Sequence, residues 1–309
     1  MLFCSKNRSD YVETHTVNSF FSSSDAWSIL SEIEKSIKAK IEAIGTPLKD
    51  WDIQINYGIK TGCNEAFIID SVKRDEILNN CTSEEERQKT AEIIRPILRG
   101  RDIKRYGYEF ANQYIIATFP SRQYNIDDYQ SIKSYLLSFG IEKLEQTGKE
   151  YIINGETVKA RKKTNNKWFE TQDSISYWDE FSKPKIIWKR VGSIIRFSYD
   201  NKGFLGLDST CFAMGSHIPY LCCLLNSSMG HYLLNNAPRT GTGDLLISVQ
   251  AVEPVKIPPV PDDEDRFEIL VNEGSCNPTA ELDEKIDDIV FELYGLNQEE
   301  REYIINNYR

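Results

Sequence analysis

The chain has 309 residues, 40% of them hydrophobic and 27% charged, which is enough to bury the core of one large domain or two ordinary ones. No apolar run reaches membrane-spanning length and no charged-then-apolar leader opens the chain, so we expect a cytoplasmic protein with no membrane partner. Seven cysteines without a Cys-x-x-Cys pair, and a formal net charge of −10, argue against a disulfide framework, a zinc site and a uniformly basic nucleic-acid binder.

Residues 1–24 are polar and weakly patterned and read as an arm. Ser24 or Asp25 caps a predicted amphipathic helix marked by Ile29, Ile33, Ile37, Ile41 and Ile44, and Gly45-Thr46-Pro47 stops it. Residues 1–50 therefore form an arm and connector helix. Strict alternation of Trp51, Ile53, Ile55 and Tyr57 with polar residues predicts a half-buried strand. The turn Gly58–Asn64 follows, then a second strand over Ala66–Ile69. Lys60 and Thr61 in that turn suit either a phosphate contact or a plain hairpin. Ser83 and Glu86 have capping-box spacing, so a helix runs to about Ile94. A strand is expected at Tyr114–Thr118 and a helix over Asp127–Phe139.

Residues 140–172 are polar and basic, with Lys159, Arg161, Lys162, Lys163 and Lys167 beside Trp168. They fit a solvated insertion or a nucleic-acid track equally well. A strand at Lys185–Trp188 turns through Val191-Gly192-Ser193 into Ile194–Tyr199, and Asn201-Lys202-Gly203 is a turn. Pro219 opens a core helix to about Asn235 that includes Cys222, Cys223 and His231. The polar loop Pro238–Asp244 leads to a strand at Leu245–Val249. Val255–Pro261 marks a boundary, placing one domain at 51–260 and a helical tail at 261–309. That tail holds two helices, about 280–294 and 298–307, separated by Gly295. It also accounts for the acidity. Residues 261–309 carry 15 acids and 4 bases, whereas residues 1–260 carry 32 acids and 33 bases.

Within the balanced body, cations gather. Ile94–Tyr106 holds Arg95, Arg99, Arg101, Lys104 and Arg105 against Asp102 alone, and no acid occurs from Lys183 to Arg196. Guanidinium forks around a glycine suit phosphate oxygens. Catalytic signatures are scarce. There is no P-loop, no Gly-x-Gly-x-x-Gly after a strand, no Gly-x-Ser-x-Gly and no His-Glu-x-x-His. His15, His217 and His231 have no ligand spacing. Asn277-Pro278-Thr279-Ala280 lacks the second proline and the aromatic of an amino-methyltransferase motif. Asp262 with Asp283 and Lys285 fits a loose magnesium-nuclease pattern, but Asp283 falls in a predicted helix and Asp262 in a linker.

Several segments, in order, resemble the TaqI-like C-terminal specificity domain of type IIG restriction–modification enzymes and adenine-N6 DNA methyltransferases. They are Ile55–Phe67, Ile94–Tyr106, Tyr114–Thr118, Lys185–Tyr199, Leu224–Tyr232, Val255–Pro259 and Ile286–Leu296. The resemblance spans about residues 26–300. It implies a mixed α/β fold with twisted, mostly antiparallel strands and packed helices. It also implies sequence-specific recognition of double-stranded DNA for a methyltransferase or nuclease domain or subunit. S-adenosylmethionine and magnesium would belong to those other domains and no cofactor to this chain, which would be an excised recognition domain, a split subunit or a degenerate protein. The expected DNA contacts are Arg99, Arg101, Lys104 and Arg105, then Lys60, Thr61 and Asn64, then Lys189, Arg190, Arg196 and Arg239. The competing readings are a protein-interaction scaffold or split specificity subunit that binds DNA only with its methyltransferase partner, and a nuclease.

Overall fold

The structure, a computed structural model, describes residues 30–308. The predicted caps Ser24 and Asp25, the arm 1–24 and Ile29 lie outside the described residues. The first described helix, α1 (Glu32–Ile44), is capped by Ser31. The Ser31 hydroxyl accepts from the Glu34 N–H at 3.3 Å, and the Glu34 carboxylate accepts from the Ser31 N–H at 2.7 Å. This reciprocal pair satisfies two helix-end donors. Ile37 and Ile41 form the buried stripe of the helix.

Two four-stranded sheets make the body. The first contains β1 (Ile53–Tyr57), β5 (Lys185–Lys189), β6 (Phe197–Asp200) and β8 (Thr210–Gly215). Its order is β6-β5-β8-β1, antiparallel throughout. The second contains β2 (Ile68–Asp70), β3 (Ile94–Leu98), β4 (Gln113–Ile116) and β7 (Leu205–Gly206). Its order is β7-β3-β4-β2, with β7 and β3 parallel.

Side-chain alternation sorts the sheets into layers. On β5, Ile187 packs with Phe212 and Met214 of β8 against Ile97, Ile115 and Leu205 of the second sheet, which makes the core between sheets. The neighbours Ile186, Trp188, Cys211 and Ala213 point the other way, into a helical layer. On the far side, Ile69, Ile94 and Ile116 pack against α2 (Ser71–Asn79), α3 (Glu84–Ile93) and α4 (Gln130–Leu137) through Ile77, Ile93, Ile132 and Leu136. The result is helix, sheet, sheet, helix.

The helical layer on the first sheet is built by α5 (Ile218–Asn226), α6 (Ser228–Leu234), α7 (Asp265–Cys276), α8 (Ala280–Leu293) and α9 (Gln298–Tyr308). Phe267, Leu270, Ile286, Val290, Phe291 and Ile304 of the acidic segment share one core with Trp188 and Phe197. Most of the acids on these helices face solvent, while Asp287 and Glu300 are buried. α9 is also tied to α1, where Glu300 accepts from Lys40 Nζ at 2.6 Å and Ser36 Oγ at 2.7 Å.

A buried ion pair crosses the first sheet. Lys185 and Asp200 have fully buried side chains and meet at 2.6 Å. Asp200 also accepts from the Tyr108 hydroxyl and the N–H groups of Lys202 and Phe204, and Lys185 also donates to Phe181 O.

Several local expectations are corrected. Residues Asn64–Phe67 form a helical turn instead of the start of a strand, because Cys63 O accepts from the Ala66 and Phe67 N–H groups. The helix predicted from Pro219 to Asn235 breaks at Ser227, which is extended and caps a new helix by accepting from Gly230 N at 3.1 Å. Only glycine fits at 230, since a Cβ there would sit 2.4 Å from Leu224 O. The strand at Leu245–Val249 shrinks to Leu245–Leu246, followed by a helical turn at Val249–Val252. Strands β3, β7 and β8, the strands Glu150–Ile153 and Glu156–Lys159, and helices α2 and α7 lie outside the elements that the sequence predicts. Cys63, Cys81, Cys211, Cys222, Cys223 and Cys276 are free, and burial raises the Cys222 and Cys223 thiols.

Candidate nucleic-acid interface

The basic segment after β3 is a tight turn whose cations differ in fate. Asp102, 4% exposed, accepts from the Arg99 backbone N–H at 2.8 Å, from Nε at 2.9 Å and from Nη2 at 2.8 Å. This bidentate fork holds the Arg99 guanidinium protonated, with its pKa raised. Arg99 therefore shapes the turn. Gly100 donates to Ser209 Oγ at 2.9 Å, and a Cβ at 100 would lie 2.9 Å from Lys189 Cγ. The close approach of turn and hairpin requires glycine here. Arg101 is exposed and has neither hydrogen bond nor ion pair among the described residues.

Lys104 reaches Glu109 at 3.1 Å, with both side chains largely solvated. Arg105 is more committed: Nη1 donates to Asp283 at 2.5 Å and Nη2 donates to Asn226 O. Asp283 also accepts from the Tyr106 hydroxyl at 3.1 Å. Tyr106 is fully buried and left-handed, with φ 66°. It is held by Phe197 O on its N–H and by Tyr199 N–H and Ser275 Oγ on its carbonyl. Its ring packs where only Gly274 leaves room, since a Cβ at 274 would lie 2.5 Å from Tyr106 Cδ2.

The hairpin after β5 supplies the second group. Lys189 is exposed and its stem lies over Gly100 and Gly192. Arg190 is half-buried, with its guanidinium 5.9 Å from the centre of the Tyr57 ring. Arg196 is half-buried and has no carboxylate or hydrogen-bond partner among the described residues. Arg239 joins through backbone pairing, because Arg239 bridges to Leu245 and Leu245 pairs with Gly192. Its guanidinium donates to Gly243 O at 3.1 Å and to Asn235 Oδ1 at 3.4 Å.

These segments enclose a cleft of about 820 Å³ lined by Lys104, Arg105, Arg196, His231, Asn235 and Tyr308, among others. Ile194, 59% exposed, stands on its rim. Burial, followed by the Arg105 charge, pushes His231 below the usual imidazole range, so it stays neutral near pH 7. His231, Asn235 and Tyr308 were not singled out from sequence. They come from α6, the residue that follows it and α9, and no local motif marks them.

The third expected group stands apart. Lys60 is exposed, but Thr61 is fully buried. Its hydroxyl donates to Asn64 Oδ1 at 2.6 Å and accepts from Cys63 N at 3.1 Å, so it organises the turn. Asn64 is exposed. The nuclease pattern has no matching geometry, since Asp283 is held by Arg105 and Tyr106. Among the described residues, no group of three or more His, Cys, Asp or Glu side chains could hold a metal. None of the described helices is long and apolar enough to cross a membrane.

The two-sheet body brings cations from two of its loops to one cleft, and comparison with known families gives its class. Residues 95–250 match the TaqI-like C-terminal specificity domain, and the chain belongs to that family. Among solved structures, it is similar to the type IIL restriction–modification enzyme MmeI in complex with DNA. The TM-score is 0.52 at 11% identity, covering 86% of this chain and 37% of that one. The type IIG restriction endonuclease BpuSI is also similar, with a TM-score of 0.45 at 13% identity, covering 86% of this chain and 34% of that one. The chain thus spans roughly a third of the length of these solved relatives. No curated protein matches.

Proposed function

We propose that this chain reads a sequence in double-stranded DNA for an adenine-N6 methyltransferase or type IIG restriction–modification enzyme in bacterial defence. Catalysis, S-adenosylmethionine and magnesium would belong to other domains or subunits. The observation that carries the reading is the convergence of Lys104, Arg105 and Arg196 on one cleft, with Lys189 packed beside the basic turn and Arg239 paired to the adjoining strand, in a chain whose net charge is −10. Arg101 and Arg196, which have no hydrogen-bond or ion-pair partner among the described residues, are the cations most available to phosphates. Phosphate contacts fix register, while side chains at base edges specify sequence. Ile194 and Asn235 offer an apolar and an amide surface for that second task.

The test is duplex binding by fluorescence anisotropy, with a randomised duplex pool used to select the preferred site. Binding should weaken as salt rises, with a log–log slope of about −0.9 for each phosphate neutralised. A flat salt response, or no binding to selected or random duplex at low salt, would overturn the reading.

One observation favours a second reading, a split specificity subunit that binds DNA only beside its methyltransferase. Arg99 and Arg105 are already bound to carboxylates, which leaves fewer free cations for unaided binding. Duplex affinity that appears only after a methyltransferase subunit is added would select it.

A further inference from the structure

A second basic element stands away from the cleft. Residues Glu150–Ile153 and Glu156–Lys159 form an antiparallel two-stranded ribbon. Its turn is Asn154-Gly155, both left-handed, with φ 52° and 86°. That is the two-residue turn whose twist matches a hairpin. The register puts Glu150 opposite Lys159 and Ile152 opposite Thr157, so these four share one face. That face is open to solvent, and Ile152 is 82% exposed. Tyr151, Ile153 and Val158 on the other face are half-buried.

The ribbon and its shoulder carry Lys149, Lys159, Lys162, Lys163 and Lys167, all exposed. None has an ion-pair partner among the described residues, whereas Lys143 just upstream reaches Glu65 at 2.8 Å. Glu150 and Glu156 are the only acids between residues 149 and 167.

The base of the ribbon is held firmly. Arg161 is 4% exposed and points inward, not to solvent. Its Nε donates to Leu144 O at 2.7 Å, Nη1 to Thr61 O at 2.9 Å and Glu170 O at 2.7 Å, and Nη2 to Trp168 O at 2.6 Å. Burial lowers its pKa to about 10, which leaves it charged at neutral pH. Gly148 N–H to Arg161 O at 2.8 Å and Ala160 N–H to Lys149 O at 2.9 Å extend the ladder below the named strands. A flexible solvated insertion would not need this anchorage.

The anchor is also connected to the basic turn. Thr61, which Arg161 grips, lies two residues from Ile59. Ile59 bonds to Gly206 and Asp208, Leu207 bonds to Leu98, and Ser209 bonds to Gly100 of the basic turn. Three hydrogen-bonded steps, Arg161 to Thr61, Asp208 to Ile59 and Gly100 to Ser209, linked by short stretches of backbone, therefore join the two basic groups through Lys60.

We infer that the ribbon Glu150–Lys159 and its lysine shoulder form a second duplex-DNA contact. The lysines meet phosphates, and the open face with Ile152 lies in a groove. The inference rests on the DNA-binding reading above and extends its footprint. A two-stranded ribbon fits the major groove, about 12 Å wide, and an aliphatic side chain there meets thymine methyls. Polyanion attraction explains unpaired lysines on a rigid mount better than solubility does, because the rest of the chain already has acid in excess.

The test compares the unaltered chain with the triple variant K159A/K162A/K163A, using one duplex and a salt series. These side chains are exposed, so folding is preserved. The log–log salt slope should become shallower by about 2.7, near 0.9 for each lost phosphate contact. The matching triple arginine variant should keep the original slope, and footprinting should show protection shortened at one end of the site by the alanine variant. An unchanged slope and footprint would overturn the inference while leaving the cleft reading intact. Failure of the unaltered chain to bind duplex would overturn both.

Discussion

Arg99 and Arg101 lie two residues apart in one basic turn, yet the structure gives them opposite jobs, and substitution should separate these. Replacing Arg99 with alanine removes the Nε and Nη2 donors from Asp102, whose side chain is 5% exposed. The Arg99 backbone N–H still donates, so the carboxylate is partly satisfied. Breaking a buried pair by removing one partner costs about 3–5 kcal/mol. The remaining backbone bond and the 17% exposure of the Arg99 side chain place this case at the lower end, about 3 kcal/mol. For a chain of 309 residues, that corresponds to a melting temperature lower by about 5 °C. R101A removes an exposed, unpartnered side chain and should change stability by less than about 0.5 kcal/mol. It should instead make the salt slope of duplex binding shallower by about 0.9. Urea unfolding and anisotropy across a salt series measure the two effects on the same proteins. R99A retaining full stability while losing duplex affinity, or R101A leaving the slope untouched, would refute this division of labour.

Three more outcomes follow from other contacts. K185M should destabilise the fold by about 3–5 kcal/mol in urea unfolding, because it leaves Asp200 buried without its charged partner; a loss under about 1 kcal/mol would count against the pair's role. For Glu300, burial raises the pKa, but the hydrogen bonds from Lys40, Ser36 and Asn297 outweigh it and the net pKa is lowered. A depressed folded-state carboxylate stabilises above its unfolded pKa, near 4.5, and that contribution fades as pH falls through the folded value. The difference in stability between the unaltered chain and E300Q should therefore shrink on acidification below about pH 4.5 and stay constant from pH 6 to 7. R161L should leave four backbone carbonyls without their shared donor. Amide exchange across residues 144–171 should then rise at least tenfold, corresponding to more than about 1.4 kcal/mol of lost local protection, while β5 and β8 remain protected.

The layers were legible where sequence carries a period. Alternation over residues 53–55, which lapses at Asn56 and the exposed Tyr57, the spacing of Ile37 and Ile41 in α1 and the Gly295 break between α8 and α9 reappear in the fold. Thr210–Gly215 has no such period because both faces of β8 are buried, so its apolar run looks like any core segment. Ser227 hid a helix break, since a serine inside an apolar run announces a cap only through the Gly230 N–H it receives. Charge density was readable and pairing was not. The Arg99–Asp102 fork could be suspected from a spacing of three residues. Arg105 meets Asp283 across 178 positions, and nothing local predicts it. Thr61 and Arg161 show the same limit, because both carry polar chemistry that the fold turns inward.

The way Tyr106 is seated has a practical consequence for anyone exchanging specificities. The basic turn docks onto two helices from the acidic end of the chain, through Gly274 and Ser275 on one and Asp283 on the other. A transplanted turn would carry its arginines into the new host but not their seat. Chimeras that move residues 95–106 should therefore move 274–283 with them, as a lock travels with its key.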